Sequence, residues 1–201
     1  MMEKFQLVAG HLALDFANTL DWRFDRERLV DLLPTYERFL AFAMQSGIVS
    51  GKQASRLLER TSKPNALRAL QRARDLREAL DLLFRSIATG GSPPQSSLRT
   101  LNRFIKDSLI PESIVHRQSE FIRCSGDLSE KPDGPLWPLV DAAANLLTSP
   151  DRARIRECNE PSCRWLFLDS SKNQSRRWCN MKVCGNRAKI KRFRARQRAD
   201  D

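Results

Sequence analysis

Histidine, glycine and long apolar runs are scarce in this chain, and each scarcity argues against a class of function. The chain has 2 histidines, His11 and His116, and neither lies in a metal-ligand motif. The 8 glycines form neither a phosphate-cradling loop nor a nucleophile elbow. The apolar stretches are too short to span a membrane. We therefore expect a soluble protein that is not an enzyme.

A secretory signal is also missing from the first thirty residues. Their apolar positions are soon broken by His11 and Asp15, without a basic lead or a small-residue cleavage site. The sequence therefore predicts a cytoplasmic protein, in which thiols stay reduced and disulfides are rare.

Cysteine is infrequent but clustered. Four of the 5 cysteines, Cys158, Cys163, Cys179 and Cys184, have the spacing C-x4-C-x15-C-x4-C. Two close pairs joined by a short arm suit one tetrahedral Zn2+, because each pair holds the metal from one tight turn. Four thiolates leave no position for water, so the predicted zinc is structural. Two disulfides are the alternative, which a cytoplasmic location disfavours. The separate Cys124 is expected to be a buried apolar residue.

The residues around these cysteines predict a small zinc module over 151–201. Residues 164–168 have the composition of a strand, and residues 169–175 that of a turn. After Gly185 the chain has neither glycine nor proline, which favours a helix. A first knuckle, a hairpin arm and a second knuckle that opens a helix form a treble-clef-like arrangement.

Positive charge is concentrated in this module. Residues 152–201 contain 15 Lys+Arg and 5 Asp+Glu, whereas residues 1–151 contain 20 and 19. Such local basicity indicates a polyanion site, with a solvated basic tail as the alternative. On a helical plot, Ile190 and Phe193 lie between two basic flanks and are expected to seat the helix on the zinc knuckle. The residues predicted to bind nucleic acid are Arg176, Arg177, Arg187, Lys189, Lys191, Arg192, Arg194, Arg196 and Arg198.

The rest of the chain, residues 1–150, predicts a helical domain with a small β-hairpin. Apolar residues recur at steps of three and four from Leu12 and over 36–44, 65–88, 97–109 and 137–147, whereas 113–125 has the pattern of a hairpin. The predicted fold class is thus mainly α (α+β). The charged face of 65–88 is expected to be an ion-paired solvent face; its residues are Arg68, Arg72, Arg74, Asp75, Arg77, Glu78 and Asp81.

Asp15, Asn18 and Thr19 are candidate ligand-binding residues. At helical spacing they offer a carboxylate, an amide and a hydroxyl. The alternatives are that they cap the helix, bond a neighbouring loop or face water.

Two segments resemble known families. The run Cys184-Gly185-Asn186-Arg187, with the preceding residues 176–181, resembles the CGNR-type zinc finger of bacterial proteins. The segment 12–19 (LALDFANT) resembles the opening of the ABATE domain that accompanies this finger. The resemblance implies a stress-linked transcription regulator, with a sensing domain followed by a DNA-binding finger.

These observations favour a zinc-dependent, DNA-binding regulator whose helical domain receives a small-molecule signal or a partner, with a homodimer as a possible form. An RNA-binding module is one alternative, because Trp165, Trp178 and Phe193 interleave with the basic residues. A zinc-stapled module that docks on an acidic protein is another. Cys158→Ser or Cys184→Ser is expected to unfold the finger and leave the helical domain, residues 1–150, largely intact.

Overall fold

The computed structural model describes residues 4–107 and 112–200. The side chains at 112, 113, 117, 123–125, 195 and 198–200 lie outside this description. The expected burial of Cys124 therefore falls outside it as well.

Helices make up most of the described chain, as the apolar periodicity predicts. None of the helices in the described ranges is long and apolar enough to cross a membrane. The α-helices are α1 (Leu12–Ala17), α2 (Tyr36–Gln45), α3 (Gly51–Arg60), α4 (Lys63–Ala88), α5 (Gln95–Asp107), α6 (Trp137–Thr148) and α7 (Asn186–Asp200).

The strands form short antiparallel pairs. The hairpin expected over 113–125 is present, but the pairing of residues 20–21 with residues 30–31 was not predicted. Residues 150–154 form a 3-10 turn that leads into the strand at Ile155. The strands are β1 (Leu20–Asp21), β2 (Val30–Asp31), β3 (Glu112–Arg117), β4 (Glu120–Ser125), β5 (Ile155–Glu157) and β6 (Leu166–Leu168).

Local sequence signals fix several helix ends. The Thr35 hydroxyl accepts a hydrogen bond from the backbone N–H of Arg38 at the start of α2. Ser50 and Gln53 form a reciprocal capping box at the start of α3, which satisfies two backbone donors. A proline in the first turn of α4 costs no helical hydrogen bond there.

The short helix α1 lies at the centre of the molecule. It packs against α4, α6 and β6, and its Ala13, Leu14, Phe16 and Ala17 are buried. The buried residues of β5 and β6 belong to the same hydrophobic cluster as those of α1 and α4. The zinc module and the helical domain therefore share one continuous core.

Asn18 joins the two parts of the chain directly. Its amide donates to the carbonyl oxygen of Leu166 at 2.9 Å, and its amide oxygen accepts from the Leu166 N–H at 2.9 Å. Both residues are buried. The side chain thus satisfies the outer edge of β6 as a neighbouring strand would.

The charged face of α4 is not wholly solvent-exposed, which corrects the sequence prediction. Arg77 and Asp81 are buried. The Arg77 guanidinium donates to the Asp31 carboxylate at 2.6 Å, and Asp81 pairs with Arg85 at 2.7 Å. Helical periodicity identified these residues as polar but gave no indication that Asp31, outside α4, would pair with Arg77 or that Asp81 would be buried.

Replacing Asn18 by alanine should destabilise the whole fold. The change would leave the N–H and C=O of buried Leu166 without these partners, and we expect a loss of about 2–4 kcal/mol in unfolding free energy. Urea unfolding of the zinc-loaded protein measures this. Asn102→Ala, at an exposed position of α5, is the control and should shift the free energy by less than about 0.5 kcal/mol. Equal effects of the two changes would contradict the role of Asn18.

Candidate metal centre and basic helix

The four cysteines of the spaced motif meet in one place. Their sulfur atoms all lie within 4.8 Å of one another. The Sγ atoms of Cys163 and Cys179 are 3.6 Å apart, and those of Cys179 and Cys184 are 3.7 Å apart. Tetrahedral Zn2+ with Zn–S bonds of about 2.3 Å needs sulfur separations of about 3.8 Å. The arrangement fits one structural zinc ion, as the spacing predicted.

The first knuckle lies between β5 and β6. The Cys158 N–H donates to the carbonyl oxygen of Trp165 at 2.8 Å, and the Cys163 N–H donates to that of Glu160 at 2.8 Å. Arg164 has φ 55°, which turns the chain back into β6. These contacts hold the backbone of Cys158 and Cys163 in one turn between β5 and β6.

The second knuckle opens α7 through a π-helical turn, Met181–Gly185. The side-chain oxygen of Asn180 accepts from the Lys182 N–H at 2.9 Å. The backbone carbonyl oxygen of Asn180 accepts from the Cys184 N–H at 2.9 Å. The same metal would therefore bind both the hairpin and the start of the basic helix.

The four thiols form hydrogen bonds with one another. Hydrogen bonds from the Cys163, Cys179 and Cys184 thiols lower the pKa of Cys158, while the same contact with Cys158 raises the pKa of Cys163. Protons on the neighbouring thiols thus favour the thiolate form of Cys158, and the pKa of Cys184 is lowered as well. A divalent cation would replace those protons and allow all four sulfurs to ionise.

A charged network ties the first knuckle to α4. Arg85 donates to the Glu157 carboxylate at 2.8 Å and to the Arg164 carbonyl oxygen at 3.0 Å, and it also pairs with Asp81. Arg85 is largely buried, so these bonds lie in a medium where they count for more than at the surface. Nothing in the sequence indicated that Arg85 reaches the zinc module.

Two of the predicted nucleic-acid contacts are occupied inside the protein. The Arg176 guanidinium lies 4.5 Å over the Phe167 ring and donates to carbonyl oxygens of Val8, Trp178 and Cys179. Lys191 forms an ion pair with Glu160, which is buried. These placements argue against Arg176 as a phosphate contact and give Lys191 a role in fixing α7. The sequence prediction did not include Glu160.

Apart from Arg198, the other residues predicted to bind nucleic acid have exposed side chains. The side chain of Arg198 lies outside the described part of the chain. Arg187 lies with its guanidinium 5.1 Å from the Trp22 ring. Five more of these residues form no ion pair among the described side chains, although the Arg177 guanidinium lies 5.3 Å over the Trp178 ring. They are Arg177, Lys189, Arg192, Arg194 and Arg196.

The apolar stripe of α7 does not seat the helix on the knuckle, contrary to the sequence prediction. Ile190 is 51% exposed and Phe193 is 61% exposed. The helix is instead held by the turn that precedes it and by the Lys191–Glu160 ion pair. Both apolar side chains consequently remain free on the same surface as the basic residues.

The tryptophans of the module are mainly structural. Trp165 is buried, and its Nε1–H donates to the Asp21 carboxylate at 2.8 Å. Trp178 is partly buried and packs against the core. Of the three aromatic residues considered for base stacking, Phe193 alone is well exposed.

The candidate ligand residues of the helical domain all have partners within the protein. Asp15 accepts from the Ala9 N–H at 2.9 Å, Thr19 donates to the Phe16 carbonyl oxygen at 2.7 Å, and Asn18 bonds to Leu166. These contacts match the structural alternative, and ligand binding by the three residues remains a prediction.

Two family models match the chain, in the order that the sequence indicated. The model of the ABATE domain, described as a putative stress-induced transcription regulator, matches residues 10–150. The model of the CGNR zinc finger matches residues 154–197. Both resemblances are thereby confirmed, and the first match covers well over half of the chain. No curated protein matches the chain.

Loss of a zinc ligand should affect more than the finger. Because β5 and β6 share the core of α1 and α4, Cys158→Ser should release zinc and also weaken protection of the α1 and α4 amides. This replaces the expectation of an intact helical domain. Metal analysis and hydrogen exchange measure the two effects, with Asn173→Ser, at an exposed position of the same module, as the control. Unchanged protection of α1 after zinc loss would show that the two parts fold independently.

The Asp15 carboxyl should make stability depend on pH. Burial raises its pKa from 3.8 to about 6, so between these values the folded state binds more protons and stability falls as pH rises. Asp15→Asn keeps an oxygen for the Ala9 N–H without the charge.

We therefore expect Asp15→Asn to be about 1–3 kcal/mol more stable than the parent at neutral pH, with a smaller difference at mildly acidic pH. Urea unfolding at both pH values measures this, and Asp141→Asn, an exposed position, is the control. A pH-independent difference would contradict the assignment.

Proposed function

The chain belongs to the ABATE family, and from that premise we propose that it is a zinc-dependent, DNA-binding regulator of transcription. In this proposal the metal holds α7 in place, α7 contacts DNA, and the helical domain receives a signal. No catalytic role is assigned to the chain.

The observation that carries the proposal is the set of unpaired cations on α7. Lys189, Arg192 and Arg196 lie on one flank, and Arg194 lies on the other. Within the described side chains they have no acidic partner, whereas a solvated surface of mixed charge would offer several. Exposed, unpaired cations on one helix are suited to the phosphates of a duplex.

The exposed apolar residues add a means of contacting bases. Ile190 and Phe193 lie between the basic flanks, and apolar side chains in the major groove contact the methyl group of thymine. Phosphate contacts alone would give affinity without sequence preference. This pairing of charge with apolar surface supports a duplex-reading helix.

RNA binding is the second candidate, because an exposed Phe193 can stack on an unpaired base. Burial of Trp165 and Trp178 against the core leaves little further stacking surface. Direct competition between duplex DNA and single-stranded RNA separates the two functions. Docking on an acidic protein predicts affinity for neither nucleic acid.

DNA affinity should fall steeply with salt and depend on one flank of α7. For each phosphate that a variant no longer neutralises, the slope of log K against log salt should become shallower by about 0.9. We expect the triple change Lys189→Gln, Arg192→Gln, Arg196→Gln to weaken binding by at least about tenfold, as measured by fluorescence anisotropy of a labelled duplex with zinc-loaded protein.

The matched control removes the same charge from the helical domain, at exposed positions that form no ion pair among the described residues. It is Lys52→Gln, Arg60→Gln, Arg68→Gln, and it should leave the affinity within about twofold. Binding that is insensitive to salt, or an equal weakening in the two triple variants, would contradict the proposal.

A further inference from the structure

A cavity of about 240 Å3 lies between the helical domain and the metal centre. It is lined by Asp21 and Trp22 at the end of β1, by Asn180 and Val183 of the second knuckle, and by Arg187 in the first turn of α7. Trp165 and three of the metal ligands also line it; the ligands are Cys163, Cys179 and Cys184. The cavity therefore joins the two family segments of the chain at the base of α7.

One wall of the cavity presents a cation without an acidic partner. No carboxylate among the described side chains lies within salt-bridge distance of the Arg187 guanidinium, which lies 5.1 Å from the centre of the Trp22 ring. The same guanidinium lies away from the cationic flank formed by Lys189, Arg192 and Arg196 on the helical plot. Arg187 is thus available to bind a carboxylate in the cavity.

Another lining residue, Asp21, presents a carboxylate with one oxygen that has no partner in the described part of the chain. Asp21 Oδ1 accepts from Trp165 Nε1 at 2.8 Å and from the Trp22 N–H at 2.8 Å. Asp21 Oδ2 has no hydrogen-bond or ion-pair partner within the described residues. The carboxylate is therefore held in a fixed orientation, and its second oxygen remains available for an ammonium group.

Trp22 is held at the cavity in an unusual backbone conformation. Its φ is 52°, in the left-handed region that residues other than glycine seldom adopt. Its ring also lies 4.1 Å from the guanidinium of Arg28. Such strain persists where surrounding contacts enforce it, and here it places the indole beside Arg187.

We propose that this cavity binds a small zwitterion, of which a free α-amino acid is the simplest. Its carboxylate pairs with Arg187, its ammonium pairs with Asp21 Oδ2, and its side chain lies against Trp22, Trp165 and Val183. A plain anion would face Asp21 and the net negative charge of a zinc ion with four thiolates, and a plain cation would face Arg187. A molecule carrying both charges satisfies both walls.

The bound zwitterion would also bridge the two parts of the chain. It contacts β1 on one side and the first turn of α7 on the other, so its binding favours one placement of α7. The inference rests on the proposed regulatory function for its biological purpose, whereas the binding itself is tested without DNA.

The experiment is thermal unfolding of the zinc-loaded full chain in the presence of each of the twenty standard α-amino acids. We expect a subset of these amino acids with chemically similar side chains, each in large excess, to raise Tm by roughly 5 °C. The deaminated and the decarboxylated analogue of each active amino acid should lose the effect. Zinc is assayed in every sample, because histidine and cysteine themselves bind the metal.

Two variants test the walls of the cavity. Arg187→Gln removes the cation, and Asp21→Asn removes the anion while keeping an oxygen acceptor for Trp165. Each should reduce binding of the active amino acid at least tenfold in calorimetric titration. Lys189→Gln, which removes one charge from α7 outside the cavity, should leave it unchanged.

Three results would overturn the proposal. They are no rise in Tm with any of the twenty amino acids, equal rises with the single-charge analogues, and undiminished binding by Arg187→Gln. None of them bears on salt-dependent DNA binding by Lys189, Arg192 and Arg196. Failure of this site and failure of the DNA interface are therefore distinguishable.

Discussion

The packing of the β5–β6 hairpin into the helical core is the constraint on which the rest of the molecule depends. The hairpin carries the first pair of metal ligands, and its Leu166 and Phe167 are buried with α1 and α4. Asn18 supplies two hydrogen bonds along the outer edge of β6, and the Ala9 carbonyl oxygen accepts a third from the Leu168 N–H. A zinc ion that fixes the knuckle therefore also stabilises the core of the helical domain.

This arrangement limits how far the zinc module can act as a separate unit. A segment of about fifty residues has little core of its own, and structural zinc in finger peptides contributes on the order of 10–16 kcal/mol of apparent binding free energy. Here Arg85 of the helical domain also stabilises the hairpin, because it donates hydrogen bonds to the Glu157 carboxylate and to the Arg164 carbonyl oxygen. Metal binding and folding of the helical domain are thus thermodynamically linked, and a perturbation of either should reach the other.

The sequence predicted those features that rest on local pattern. Apolar spacing gave the main helices, and cysteine spacing gave the metal site, because both depend on neighbouring residues. It did not predict the partners of Asn18, Arg77 and Arg85, which lie far along the chain. The prediction that the apolar face of α7 packs on the zinc knuckle was wrong for the same reason. A helical plot shows that Ile190 and Phe193 share a face. The Lys191–Glu160 ion pair helps to hold α7 in an orientation that leaves this face exposed.

Arg187 occupies the point where the metal centre, the basic helix and the helical domain meet. It follows Cys184 by three residues, begins the cationic part of α7 and lies over Trp22 from the end of β1. Trp22 is in turn placed by Asp21, which also accepts from Trp165 beside the knuckle. Any molecule that changes the Asp21–Trp22–Arg187 contact must displace the first turn of α7 or hold it more firmly. Since the other unpaired cations are on the same rigid helix, such a change alters the position of the whole basic surface.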